Sequence, residues 1–148
     1  ESRADFASKF GLLYNDYQKA LNPCPEGWHV STISEWINLR SLLLAKNSKY
    51  GKQAKANNNK YQPSYGGGYT WGGYAPNDSN NSGFNLLPTG YTYNSGSGTY
   101  GQNFASVAMM ALSGTTQYIW LTNNSDVFYF TNATADTKYN KPIRCVKN

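Results

Sequence analysis

Three side chains in this 148-residue chain have the chemistry for redox, metal or nucleophilic work: Cys24, Cys145 and His29. Thiolates act in redox and nucleophilic sites, and Cys with His binds zinc or copper. The sequence has no Cys-x-x-Cys pair and no His/Cys cluster, and without a second histidine it offers no zinc or copper ligand set. We therefore predict a disulfide between the two cysteines, no metal site, and a hydrogen-bonded structural role for the histidine.

The acidic residues show no sign of acid–base catalysis. Glycosidases work with a pair of carboxylates, and the 8 Asp and Glu residues show no such paired spacing. Glu35 is accounted for by a capping box with Thr32 at a helix start. The runs Gly66–Gly68 and Gly72–Gly73 lack the Lys-Ser/Thr of a phosphate loop. We expect no enzymatic activity and no catalytic residue.

Calcium is the one cofactor with a candidate segment, and we otherwise expect none. Asn77 to Asn80 supplies several oxygen ligands but a single carboxylate, Asp78. Calcium takes six to eight oxygens and is bound tightly where several of them are charged. The segment is therefore a weak candidate.

The composition favours a recognition surface over a nucleic-acid site. The chain has 13 Tyr against 6 Phe and is rich in Asn, Ser and Gly, a mixture that suits binding faces. The alternative is that Tyr and Asn fill exposed strands and turns. The net charge is +5, and the lysines between Lys46 and Lys60 are spaced by small polar residues, which indicates a solvated loop.

The cysteines also indicate where the protein works. A disulfide persists in an oxidising compartment, so we expect an extracellular or bacterial cell-surface location. No apolar run approaches the roughly 20 residues that span a bilayer. The sequence shows no signal-peptide pattern, so an export signal or anchor would lie upstream.

Two helices precede the predicted sheet. Phe10–Tyr14 favours a short strand, and a short helix follows from Asn15 to Leu21. Thr32 begins the main helix, which ends near Asn47 and carries a broad apolar face. That face comprises Ile33, Trp36, Ile37, Leu39, Leu43 and Leu44.

The second half predicts loops and then strands. Residues 61–83 form a long Gly-, Tyr- and Asn-rich loop, and Phe84–Pro88 returns to the core. Short antiparallel strands follow near Gly90–Tyr93, Thr99–Phe104, Val107–Leu112, Gln117–Thr122, Val127–Thr131 and Pro142–Lys147. Helices followed by strands predict an α+β fold. We assign residues 1–9 to a polar lead-in and 10–148 to one domain.

Five segments together resemble a known family, the Fibrobacter succinogenes major paralogous domain. They are Phe10–Asn15, Cys24–Val30, Glu35–Trp36, Ser82–Pro88 and Arg144–Lys147. Their order and spacing follow the family across nearly the whole chain from about Phe10. The resemblance implies an exported surface protein of gut or marine Bacteroidetes and their relatives.

This family in turn resembles the sulfatase-modifying, formylglycine-generating group within the C-type lectin-like fold. The resemblance implies two helices packed on a small twisted antiparallel sheet, with long irregular loops that present a binding face. Both cysteines are used by the framework match, so none is left for oxidase chemistry. Val107–Ser113 departs from the family because it lacks tryptophan, and Lys141–Ile143 because a Gly-Phe-type approach is usual there.

We therefore expect a non-catalytic extracellular recognition or adhesion module that binds a cell-surface glycan or protein receptor. It would belong to a larger exported protein or assembly and would bind no nucleic acid and enter no membrane. The Tyr/Asn-rich binding face would comprise Trp71, Tyr74, Tyr118, Trp120, Asn123, Asn124, Asp126, Phe128, Tyr129, Thr131 and Asn132.

Strand alternation puts Val127, Tyr129 and Thr131 on one side and Phe128 and Phe130 on the other, without showing which side faces inward.

Two further hypotheses follow from the resemblance and the composition. Retroelement-diversified proteins often use this scaffold, and Gln117 to Asn140 is rich in residues reached by adenine mutation of Asn codons. The alternative function is structural: a subunit or tip domain of a bacterial surface fibre or pilus, in which the Tyr-rich face packs on a neighbouring subunit.

Overall fold

A computed structural model describes residues 12–15, 19–46, 48–55, 82–95, 98–102, 107–131 and 139–148. The predicted lead-in 1–9 lies outside these residues, as does the predicted loop 61–83 apart from its last two positions. Three predicted binding residues, Trp71, Tyr74 and Asn132, also lie outside them.

Two helices and nine short strands have both ends within the described residues. Lys19 and Ala20 are also helical and fall in the predicted short helix from Asn15 to Leu21, of which residues 16–18 lie outside the described ranges. The helices are α1, Ile33–Lys46, and α2, Tyr50–Ala54. The strands are β1 Leu13–Tyr14, β2 Trp28–Val30, β3 Tyr91–Ser95, β4 Gly98–Gln102, β5 Val107–Ala111, β6 Tyr118–Thr122, β7 Tyr129–Thr131, β8 Tyr139–Pro142 and β9 Cys145–Lys147. The α+β class predicted from the sequence is confirmed.

The predicted capping box opens α1. The backbone N–H of Thr32 donates to Glu35 Oε2 at 2.7 Å, and the N–H of Glu35 donates to Thr32 Oγ1 at 3.3 Å. These two bonds satisfy backbone donors that the first helical turn leaves without partners. The predicted start and end of the main helix are confirmed.

The apolar face of α1 is narrower than predicted. Trp36 and Leu43 are buried, and Ile33 and Leu39 pack beside them. Ile37, Leu44 and Leu42 lie on the flanks of the helix and are exposed, Leu42 to 67 %. Helical spacing alone did not set the width of the buried face.

The strands form three antiparallel sheets. Their orders are β1-β8-β3-β4, β2-β9 and β5-β6-β7. Single parallel bridges from Gly90 to Ala108 and from Ala111 to Ile143 tie the sheets together along β5. The predicted closing strand Pro142–Lys147 is in fact the last residue of β8 followed, after a break, by β9.

The main core lies between α1 and the inner face of the β5-β6-β7 sheet. Its centre is Trp36, whose ring meets Phe84 at 5.4 Å and Phe128 at 5.6 Å, edge to face. The indole N–H of Trp36 donates to Ser31 Oγ at 2.9 Å, so its polar atom is satisfied. Phe84 and Leu86 bring the segment after the long loop back into this core, as predicted.

The sequence predicts that the lysine-rich segment from Lys46 to Lys60 is a solvated loop. Its described part differs from this prediction. It forms α2, and Lys55 is only 1 % exposed. Gly51 lets α2 approach the sheet, because a Cβ there would lie 2.7 Å from the Val127 backbone. The prediction is wrong for Lys55 because buried carbonyl groups of the β6–β7 turn receive its ammonium.

Cys24 and Cys145 form a disulfide across 121 positions of sequence. Cys145 lies opposite Val30 in the β2-β9 sheet, so the bond joins the segment before α1 to the last strand. The predicted pairing is confirmed.

Candidate binding face

The β6–β7 hairpin turns one face to the core and one away from it. Ile119 and Leu121 are buried on the inner face, whereas Tyr118, Trp120 and Thr122 alternate with them and are half-buried on the outer face. Tyr129 lies opposite Trp120 and is 54 % exposed, and Thr131 lies opposite Tyr118. Directly opposite residues of neighbouring strands point to the same side.

The four-stranded sheet adds further aromatic rings next to this outer face. Tyr91 of β3 lies 6.0 Å from the Trp120 ring and 5.2 Å from the Tyr139 ring of β8. Tyr118 and Trp120 are 6.3 Å apart. We call the five residues Tyr91, Tyr118, Trp120, Tyr129 and Tyr139 the aromatic face.

Lys141 lies behind this face. It is 3 % exposed, and its ammonium lies 5.6 Å from the centre of the Tyr118 ring and 5.7 Å from that of Tyr139. A cation at this distance is attracted to the negative π-face of a ring. Lys141 therefore helps to hold rings from two sheets against each other.

The turn between β6 and β7, residues Asn123–Asp126, adjoins the aromatic face, and we call it the Asn turn. Lys55 donates from Nζ to the carbonyl oxygens of Asn123 at 2.8 Å and Ser125 at 2.7 Å. The N–H of Gly51 donates to the carbonyl of Asp126 at 2.8 Å. The Asn turn is thus held by Gly51 of α2 and by Lys55, the residue that follows α2.

The Asp126 carboxylate has a partner on the same side of the molecule. It lies 3.2 Å from Lys49 Nζ, in an ion pair whose two side chains are about half exposed. An exposed pair of this kind contributes little stability. Its effect here is electrostatic: the Lys49 ammonium offsets the negative charge of Asp126, the charged side chain of the β6–β7 hairpin.

Burial lowers the pKa of Lys55 to about 8 from its ordinary 10.5, and the Asp126 carboxylate raises it in part. Between these two values the unfolded chain binds more protons than the folded one, so folding stability rises with pH. We expect Lys55→Met to cost about 1–3 kcal/mol at pH 7, because two carbonyls lose their donor.

The stability gap between wild type and Lys55→Met should then widen by about 1–2 kcal/mol from pH 8 to about 9.5. Urea denaturation of both proteins across that range measures it. A gap that stays constant with pH would show that the pKa of Lys55 is not lowered by folding.

One predicted binding residue is corrected. Phe128 is 1 % exposed and packs edge to face against Tyr50 at 5.0 Å, in addition to Trp36. It therefore belongs to the core and cannot contact a ligand. Phe128, just before β7, and Phe130 within it point inward, whereas Tyr129 points outward. Of the other predicted residues that the structure describes, Tyr118, Trp120, Tyr129 and Thr131 share one face and Asn123, Asn124 and Asp126 form the turn beside it.

His29 is engaged on both ring nitrogens. Nδ1 lies 2.6 Å from Asn148 Oδ1, and Nε2 lies 2.9 Å from Glu35 Oε1. Both partners are acceptors, so the ring satisfies them together when it is protonated. The bond with Asn148 and then that with Glu35 raise the pKa of His29 above 6.5. Burial alone would raise the pKa of Glu35, but hydrogen bonds from Thr32 and His29 hold it below 4.5.

A raised pKa means that His29 stabilises the fold below about pH 6.5 and that this contribution is lost as the pH rises through its folded pKa. We expect the melting temperature of His29→Gln to fall furthest below wild type near pH 5.5, where Glu35 is still ionised. The difference should shrink toward pH 9, as measured by thermal denaturation monitored by circular dichroism.

His29 is the single histidine, so no other imidazole titrates in this range. Asn148→Ala is the matched control, because it removes the largest cause of the raised pKa and should weaken the pH dependence. A melting-temperature difference that is equal at both pH values would contradict the assignment.

No group of three or more His, Cys, Asp or Glu side chains gathers to hold a metal ion within the described ranges. The candidate calcium segment Asn77 to Asn80 lies outside them. None of the helices described here is long and apolar enough to cross a membrane.

The architecture defines a class: a disulfide-closed α+β domain of three small antiparallel sheets with an aromatic face on its β6–β7 hairpin. Comparison with family models identifies the Fibrobacter succinogenes major domain over residues 2–147, and the chain belongs to that family. The family predicted from the sequence is thus confirmed. The comparisons with curated proteins and with solved structures find no match.

Sequence reasoning missed four residues that build the site: Tyr91, Tyr139, Lys141 and Lys55. The alternation of Tyr139 and Lys141 is the available signal for β8, but the sequence predicts a strand that starts at Pro142, which is instead the last residue of β8. Nothing local marks Lys55, because its two acceptors lie about 70 positions away.

Proposed function

We propose that this domain is a non-catalytic recognition or adhesion module that binds a glycan or protein ligand through the aromatic face and the Asn turn. The observation that carries the proposal is the pairing of exposed Tyr129 with half-buried Trp120, braced by rings from a second sheet. Rigid aromatic side chains beside amide and hydroxyl groups offer contact area at low entropic cost.

The non-catalytic part of the proposal is supported by the use of the reactive groups. Both cysteines are in the disulfide, and the imidazole and the Glu35 carboxylate hold one another and the start of α1. An extracellular or cell-surface location is supported by the same disulfide, which persists in oxidising surroundings. A larger exported protein would carry the domain.

The C-type lectin-like fold, related to the formylglycine-generating group, is part of this proposal. Two helices beside small antiparallel sheets, and a disulfide between the segment before α1 and the last strand, agree with it. Diversification by a retroelement would act on Gln117 to Asn140, which includes the β6–β7 hairpin. Gene sequences from many isolates test this, since substitutions spread evenly along the chain would rule it out.

The test of recognition uses arrays of glycans and of purified cell-surface proteins. Tyr129→Ala should lower binding by about tenfold, equivalent to roughly 1.4 kcal/mol, and keep the wild-type circular dichroism spectrum. Leu42→Ala is the control, because Leu42 is 67 % exposed on α1, a helix that contributes no residue to the aromatic face or the Asn turn. Equal binding by wild type and Tyr129→Ala to every ligand found would refute the proposed face.

A structural role in a surface fibre or pilus is the second candidate. It is favoured by large apolar side chains that are exposed in addition to the aromatic face, namely Leu42, Leu44, Leu21 and Leu12. Such side chains suit a contact with a neighbouring subunit. Light scattering over a concentration series decides: defined assembly without any array ligand would support this role in place of recognition.

A further inference from the structure

We propose that the ligand is a neutral saccharide, stacked on Tyr129 and Trp120 and hydrogen bonded by the Asn turn, which Lys55 holds in its binding geometry. This inference rests on the proposed function and narrows its ligand to one chemical class. Four observations support it: the aromatic platform of Tyr129 and Trp120, the hydrogen-bond donors of the Asn turn, the rigidity of that turn, and the small charge exposed at the site.

The platform consists of Tyr129 and Trp120, which are paired by the register of two neighbouring strands. Tyr129 and Trp120 are directly opposite in the register, so their Cβ atoms lie about 5 Å apart. Tyr91 at 6.0 Å and Tyr118 at 6.3 Å brace the indole from the side. A sugar ring has C–H groups on its faces and hydroxyls at its rim, so it suits a flat apolar ring with polar groups around it.

The polar groups stand one step along the same face. Thr122 follows Trp120 by two positions and donates from Oγ1 to Asn124 Oδ1 at 2.8 Å. Asn124 is exposed, and within the described residues none of the hydrogen bonds uses its Nδ2. An amide nitrogen offers two donors, which can meet the hydroxyl oxygens at the rim of a stacked sugar.

The Asn turn is rigid before any ligand arrives. Lys55 bonds two of its carbonyls, and the N–H of Asn124 donates to Asn123 Oδ1 at 2.9 Å. A site that is ordered in advance loses less entropy on binding, which matters most for small ligands with few contacts. Lys55 thereby acts as a positioning residue, because it touches the turn and not the ligand.

Charge and size separate a neutral saccharide from other ligands. Asp126 is the single charged residue between positions 118 and 131, and it is paired with Lys49. The ammonium groups of Lys55 and Lys141 lie beneath the face, on carbonyl oxygens and aromatic rings, and these two residues are only 1 % and 3 % exposed, so neither presents its charge to a ligand. Tyr129 is the one large apolar side chain on this part of the described surface that is well exposed. A stable protein interface covers about 800 Å² per partner around an apolar centre, so one exposed ring suits a few sugar units better.

The experiment is affinity electrophoresis of the intact domain through gels containing soluble glucan, xylan or galactomannan, with polygalacturonate and heparin as anionic counterparts. We expect retardation by at least one neutral polymer that persists from about 0.05 to about 0.5 M NaCl. Tyr129→Ala should weaken it at least about tenfold and Asn124→Ala about threefold to tenfold, whereas Leu42→Ala should not change it.

Lys55→Met is compared with Leu43→Ala, which loses core packing but removes no hydrogen bond to the Asn turn. With both variants folded at the temperature of the gel, Lys55→Met should weaken retardation and Leu43→Ala should not. Equal retardation in Lys55→Met and wild type would refute the positioning role.

Retardation only by the anionic polymers, abolished by salt, would overturn the inference, because it reports the net charge of the chain. Absence of saccharide binding together with Tyr129-dependent binding to a protein array would overturn the saccharide and leave the proposed recognition function standing. Absence of both would overturn the two together.

Discussion

Replacing Cys24 and Cys145 together by serine is expected to lower the free energy of unfolding by about 4–5 kcal/mol. The bond closes a loop of 121 positions, and opening it lets the unfolded chain explore many more conformations. For a domain of this size the melting temperature should fall by about 10–15 °C. Urea and thermal denaturation at neutral pH measure both quantities.

Wild-type protein treated with a reductant is the control for the double variant, since it keeps both side chains and loses only the bond. The urea dependence of unfolding should also steepen, because an uncrosslinked chain exposes more surface. Identical melting temperatures for oxidised and reduced wild type would show that the bond does not stabilise the domain.

Phe128→Ala is expected to destabilise the fold by about 3–5 kcal/mol, whereas Tyr129→Ala, one residue further on, should cost less than about 1 kcal/mol. Phe128 fills the space between the rings of Trp36, Tyr50 and Phe130, at centroid distances of 5.6, 5.0 and 6.2 Å. Removing it leaves a cavity in the centre of the core. Chemical denaturation of the two variants gives both values.

The pair is its own control, because the substitutions are adjacent on one strand and remove side chains of similar size. The reverse order of stability would place Tyr129 in the core and Phe128 on the surface. That result would also remove Tyr129 from the proposed binding face.

Local signals in the sequence were sufficient for several elements. Thr32 and Glu35 mark the start of α1 by a pattern that spans four residues, and both predicted capping bonds form. The two cysteines had no partner other than each other. In each case the interaction involves few residues and few alternatives, so the pattern alone decides it.

The orientation of β7 could not be obtained in this way. Both faces of the strand carry aromatic residues, so the alternation is equally compatible with Phe128 or Tyr129 inward. The choice is made by Trp36 and Tyr50, whose rings pack on Phe128 from elements far away in the sequence.

The buried lysines were hidden for a related reason. A lysine is rarely buried, so the sequence argues for the surface unless acceptors are known. Lys55 finds two carbonyls in a distant turn, and Lys141 finds aromatic rings from two sheets. These partners come together only once the fold has formed. The Asn turn depends on Lys55, and the contact between Tyr118 and Tyr139 depends on Lys141.

The disulfide also determines how the domain would respond to mechanical force. A pull applied before Cys24 and after Cys145 passes through the covalent bond between them and does not reach the chain that it encloses. About 400 Å of contour length is thereby withheld from extension. The aromatic face and the Asn turn lie within the enclosed segment. Under such a pull this face would stay folded while the segments outside the bond carry the load.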